Sequence, residues 1–127
     1  MPESAEDLKK RLARVSEINI SVIGRKSGAT ITLPVWFVLE GDKLYLLPVF
    51  GSETQWFKNL EKNRGLGVSG RGWEANFKPA VVRDSKAVSA VVDKFRSKYG
   101  AADVKKYYKN FDVAVRMALG HPASAVA

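Results

Sequence analysis

The stretch from Ile20 to Asn63 limits the possible folds most, because it alternates strand-forming runs with turn chemistry and then opens a helix. Ile18, Ile20 and Val22 recur with a period of two and define a first strand. Gly24-Arg-Lys-Ser-Gly28 turns the chain into a second run, Thr30 to Leu39. Glu40-Gly41-Asp42 turns it again into a third, Lys43 to Phe50. Strands joined by turns this short pair antiparallel. Pro34 has no N–H to give a ladder, so the second strand bulges or lies at an edge there, and Pro48 marks a further break. Ser52-Glu-Thr-Gln55 has the form of a capping box. It announces a helix that carries Trp56, Phe57 and Leu60 and ends near Asn63.

On either side of this stretch the pattern is equally regular. Ser4 to Glu17 reads as an amphipathic helix with Leu8, Leu12 and Val15 on one face and Lys9, Lys10, Arg11 and Arg14 on the other. Gly65 to Ser69 and Trp73 to Val82 form a hairpin across Gly70-Arg-Gly72, with Trp73, Ala75, Phe77, Pro79 and Val81 sharing a face. Asp84 or Ser85 caps a helix whose stripe is Val88, Val91, Val92, Phe95 and Tyr99, with Gly100 as its left-handed exit. A short helix from Asp103 to Tyr108 precedes a last strand, Phe111 to Met117. The expected fold is mainly β (α+β): six antiparallel strands, flanked by helices, curled into a small barrel. One domain accounts for residues 1–127, with the helix in 1–17 and a loose tail in 119–127.

Composition narrows the chemistry. There is no cysteine, which excludes disulfides and thiolate metal sites. The single histidine, His121, falls in the tail, so a histidine triad or multi-histidine metal site is not expected. An enzyme built from these residues would take its reactive atoms from a bound cofactor. The net charge of +8 attracts anions. Its basic residues are scattered, however, and no aromatic-plus-basic strand motif accompanies them, which disfavours nucleic acid. No apolar run reaches the ~20 residues of a membrane span, and the acidic start is no signal peptide; a cytoplasmic protein is expected. Two places offer backbone N–H groups to an anion: the basic turn Gly24 to Gly28, and Gly51-Ser52 at a helix start.

Gly24-Arg-Lys-Ser-Gly28, Pro34-Val-Trp-Phe37 with its Glu40-Gly-Asp hairpin, and Gly51-Ser before Trp56 with Lys58-Asn-Leu60 and Asn63 carry a resemblance. Over residues 18–118 the chain resembles the deazaflavin-dependent nitroreductases of the flavin-binding split-barrel superfamily. The resemblance implies a split β-barrel, a homodimer, and a cleft for the deazaflavin coenzyme F-420 or FMN. It implies an oxidoreductase that transfers hydride to a small nitro- or quinone-type acceptor. On the family pattern Arg25, Lys26, Ser27 and Gly28 contact the cofactor phosphate. Val49, Phe50, Gly51 and Ser52 line its tail side, with Trp56 packed behind them. Trp36 faces the ring beside the Pro34 break, and Tyr107 and Tyr108 lie over the substrate. Two cations of the pattern are replaced, by Ile31 and Phe50. That replacement leaves open FMN, no cofactor at all, and a non-catalytic barrel binding haem or a fatty acid.

Overall fold

The computed structural model describes residues 5–70 and 72–119. Helix α1 (Ala5–Leu12) leads into β1 (Ile18–Ile23), β2 (Thr30–Val35), β3 (Phe37–Glu40) and β4 (Lys43–Leu46). A 3-10 turn at Gly51–Glu53 precedes α2 (Gln55–Lys62), followed by β5 (Leu66–Gly70), β6 (Trp73–Phe77) and β7 (Ala80–Val82). Helices α3 (Ser85–Tyr99) and α4 (Ala101–Tyr107) and strand β8 (Ala114–Ala118) complete the order.

The strands form two four-stranded sheets, β2-β1-β5-β6 and β3-β4-β8-β7, with every ladder antiparallel. The expected fold class stands, with eight strands among the described residues where six were read. Both additions have one cause. The expected Thr30–Leu39 strand breaks at Trp36, and the expected Trp73–Val82 strand breaks at Lys78-Pro79. Each half then joins a different sheet. Period-two alternation cannot reveal such a crossing, because both halves keep a buried face. Pro34 lies in an edge strand opposite Asn19, where its missing N–H costs the ladder nothing.

Two apolar clusters result. Ile20, Phe37, Leu44, Phe57 and Phe77 fill the space between the sheets, and Leu8 and Leu12 of α1 close it. Val88, Val92 and Phe95 of α3 pack with Val104 and Tyr108 against the outer side of the second sheet.

Other boundaries moved for local reasons. Helix α1 ends at Leu12, so Val15 is left 44% exposed instead of joining the apolar face. The third strand ends at Leu46, and the chain leaves the sheet before Pro48. The capping box does not form. Thr54 stands at the N-cap of α2, and the Ser52 hydroxyl is committed elsewhere. Of the two offered caps for α3, Asp84 is the one used, accepting the Ala87 N–H at 3.0 Å. Gly100 does have a positive φ of 95°, but with ψ 140° it is extended rather than left-handed helical, and α4 begins at the next residue. The last strand starts at Ala114, leaving Phe111 outside it and exposed. Leu119, expected at the start of a loose tail, is buried, and its N–H donates to the Asp42 carbonyl at 2.7 Å. The rest of that tail, with His121, and the proposed cap Ser4 lie outside the described residues.

Candidate functional site

The break at Trp36 has a consequence beyond topology. Where β2 leaves the first sheet, its end faces the loop before α2 and the end of α4, and a cleft of about 560 Å³ opens between them. Pro34, Trp36, Val49, Phe50, Trp56, Tyr107 and Tyr108 all line it, so seven of the residues expected at a site meet in one place. Sequence reading missed Glu17, Leu33, Val35, Leu47, Thr54 and Gln55 in the same wall. Of these, Leu33 and Val35 could have been found, since they alternate with Pro34 and share the face of Ile18 and Ile20.

The aromatic walls are held by their neighbours. Trp36 stacks on Tyr99 with centroids 4.2 Å apart and planes 8° from parallel. Tyr107 meets the indole edge-on at 5.5 Å, and Tyr108 lies tilted at 6.0 Å. Tyr99 is itself anchored: its phenol oxygen accepts the Phe37 N–H at 3.1 Å and faces the carbonyls of Ser16 at 2.7 Å and Phe37 at 2.8 Å. One hydroxyl proton serves those two carbonyls. Burial pushes the Tyr99 phenol up to about 12, opposed by its bond to Phe37 and reinforced by the Glu17 carboxylate. Burial also drives the Tyr108 phenol well above the ordinary range, with Tyr99 adding to the rise.

Arg25, Lys26, Ser27, Gly28, Gly51 and Ser52 do not line the cleft. The Arg25 guanidinium donates to Asn59 Oδ1 at 2.7 Å and to Gln55 Oε1 at 2.8 Å, while the Arg25 N–H donates to the same Asn59 oxygen at 3.1 Å. Gln55 and Asn59 stand four apart on α2, so one helix face accepts the fork. Arg25 thereby latches the glycine turn to the helix, and Gln55 passes this contact to the cleft wall. Lys26 is exposed at the turn, Ser27 Oγ accepts the Ala29 N–H at 3.1 Å, and the Gly28 N–H donates to the Gly24 carbonyl at 2.9 Å.

The second expected anion site is filled from within the chain. Asp112 accepts the Ser52 N–H at 2.8 Å and the Ser52 hydroxyl at 2.5 Å. The Ser52 hydroxyl holds the Asp112 carboxyl below its usual range; desolvation opposes it, and backbone N–H bonds and Arg83 add to the lowering. Nearby, Thr54 Oγ1 accepts the Phe50 N–H at 2.8 Å. Among the described residues no group of three or more His, Cys, Asp or Glu side chains is placed to hold a metal ion.

A family model described as "Uncharacterized protein conserved in bacteria (DUF2255)" matches residues 8–119. The chain belongs to the DUF2255 family. No curated protein matches it in sequence. Solved structures do match in shape. The F420-H2 dependent reductase FDR-A is 14% identical, with 80% of this chain and 93% of that one covered at a TM-score of 0.62. A chain described as a domain-swapped dimer is 13% identical, with 88% and 94% covered at 0.63. The haem storage protein HutZ from Vibrio cholerae is 14% identical, with 93% and 89% covered at 0.66. Identity this low carries the fold alone, and that fold is the split barrel. Among the described residues no helix is long and apolar enough to cross a membrane.

Proposed function

We propose that this DUF2255 protein is a flavin- or deazaflavin-dependent oxidoreductase that delivers hydride to a small nitro- or quinone-type acceptor. The observation that carries the reading is the cleft itself, whose walls include Trp36, Trp56, Tyr107 and Tyr108 and are otherwise largely apolar. Such walls suit a planar conjugated ring, which when bound supplies the hydride chemistry. The chain contributes alignment and exclusion of water. Tyr108, kept protonated by its burial, is a donor for negative charge that develops on an acceptor oxygen.

The ring fits these residues better than a polyanionic tail does. Arg25 is spent on Gln55 and Asn59, and Ser52 is spent on Asp112. Lys26 remains as the exposed cation of the turn. FMN, with one phosphate, is therefore favoured over the longer deazaflavin coenzyme. Fluorescence titration with both tests this. The expected dissociation constants are on the order of tens of micromolar, with FMN comparable or tighter. Ile31→Arg combined with Phe50→Lys tightens the deazaflavin preferentially, and Tyr107→Ala weakens both. Failure of both cofactors to bind overturns the reading.

A second reading, a non-catalytic barrel for haem or a fatty acid, is favoured by one observation: no lysine or arginine is among the described residues that line the cleft. Retention of haem or fatty acid on purification, with no response to FMN, would select it. In either case the protein acts as a homodimer. Ile31, Phe50, Tyr107 and Phe111 are exposed apolar side chains, two of them on the cleft wall, and a second copy would cover them. Light scattering at micromolar concentration tests this, and a single 14.0 kDa species rules it out.

A further inference from the structure

The chain carries a net charge of +8. Among the described residues that line the cleft, the one charged side chain is nevertheless an acid, Glu17. The Glu17 loop is not placed by chance. The Tyr99 hydroxyl faces the carbonyl of the adjacent Ser16 at 2.7 Å, and the Tyr99 ring stacks on Trp36 at 4.2 Å. A single residue thus fixes both the backbone beside the carboxylate and one face of the indole. Trp36 also lines the cleft, with Tyr107 near-perpendicular to it at 81° and Tyr108 inclined at 52°. Three aromatic rings at unlike angles beside one carboxylate form the chemistry that recognises an organic cation. The ring faces present negative quadrupole charge, and the carboxylate supplies the counter-ion.

We infer that the Trp36 end of the cleft selects a planar organic cation, of the N-alkylpyridinium type, with Glu17 as the residue that sets the preference. This rests on the cleft being the ligand site, as proposed above, and not on its ligand being redox-active. Neutral planar molecules meet the same apolar walls but gain nothing from Glu17. Planar molecules whose ring itself carries negative charge meet Glu17 as a like charge.

The test uses a pair of isosteres, 1-methylnicotinamide (cationic) and nicotinamide (neutral), each titrated calorimetrically into the intact protein. The expected result is that the cation binds at least about tenfold more tightly. Glu17→Gln should bring the two probes to within about twofold. Glu74→Gln, which removes an exposed carboxylate from β6 away from the cleft, should leave the preference unchanged. Unchanged thermal melting of Glu17→Gln confirms that binding, not folding, was altered. Equal affinity for the two probes, binding of neither, or a preference that survives Glu17→Gln overturns the inference. Titration with FMN separates this from the proposed function. FMN binding without cation preference leaves that function standing and removes the inference. Cation preference without FMN binding does the reverse.

Discussion

Asp112 closes on both the N–H and the hydroxyl of Ser52, sixty positions earlier in the chain. The clasp ties the segment after α4 to the loop that lines the cleft. Two further contacts run alongside it: the Lys109 N–H donates to the Val49 carbonyl at 2.7 Å, and Phe50 bridges Asn110. Replacing Asp112 with Asn weakens the clasp at neutral pH by about 1 kcal/mol, since hydrogen bonds to a charged group are worth more but this one is open to solvent. The sign with pH follows from the lowered carboxyl. Its contribution is present above the unfolded value near 3.8 and is lost as pH falls through the lower native value. Urea unfolding of the two proteins should differ at neutral pH and converge in strong acid.

Gly51 supports the same clasp. Its φ is 58°, and a Cβ placed there would run into the Asp112 carboxylate. Gly51→Ala therefore meets both backbone strain and a collision, and should cost roughly 2–4 kcal/mol. Gly28 has a φ of 74° but open space around it. Gly28→Ala suffers the strain alone, at about 1–2 kcal/mol. Thermal melts of the pair separate collision from strain.

The Arg25 latch should behave as a unit. Asn59 is buried and accepts from Arg25 twice, so Asn59→Ala removes both bonds and should cost about 1–2 kcal/mol. Arg25→Lys should not rescue, because an ammonium cannot span Asn59 and Gln55 with a planar fork. A double-mutant cycle between Arg25→Ala and Asn59→Ala is expected to show a coupling of at least about 0.5 kcal/mol. Additive losses would show that the latch contributes little.

Alkaline stability depends on the two buried phenols. Tyr99 is raised to about 12 and Tyr108 is raised further. A raised phenol adds stability that is fully present below the unfolded value of 10.0 and is lost as pH climbs towards the native value. Melting temperature should hold from neutral pH to about 9.5 and then fall steeply. Tyr99→Phe starts lower by about 1 kcal/mol, through lost hydrogen bonds, and loses less between pH 10 and 11.5.

Turn chemistry explains why so much of the sheet could be read in advance. Gly24 to Gly28 and Glu40 to Asp42 sit between alternating apolar runs, and local chemistry of that kind survives tertiary context. The crossings at Trp36 and Pro79 were not legible, because leaving one sheet for another preserves the alternation. At the site, the aromatic residues could be singled out individually. Their supports could not. Ser16, the neighbour of Glu17, is held by Tyr99 at a separation of 83 residues, and Arg25 is claimed by a helix 30 and 34 positions away. A cation in a glycine turn reads as available for a ligand until the side chain that claims it is known. Ser52 shows the same lesson, for its capping signal lost to Asp112.

The side chains of Lys98 and Tyr99 have one more effect, on what this protein can avoid becoming. Strand β3 ends its sheet, and an open strand edge invites another chain to add itself. At Phe37 that invitation is withdrawn. Lys98 Nζ donates to its carbonyl at 2.8 Å while lying 3.6 Å from its ring centroid, and Tyr99 takes its N–H. Strand-on-strand growth into fibres would first have to displace a lysine and a tyrosine from the backbone of the same residue. Variants that remove either should be watched for slow aggregation in storage, even where their melting curves look sound.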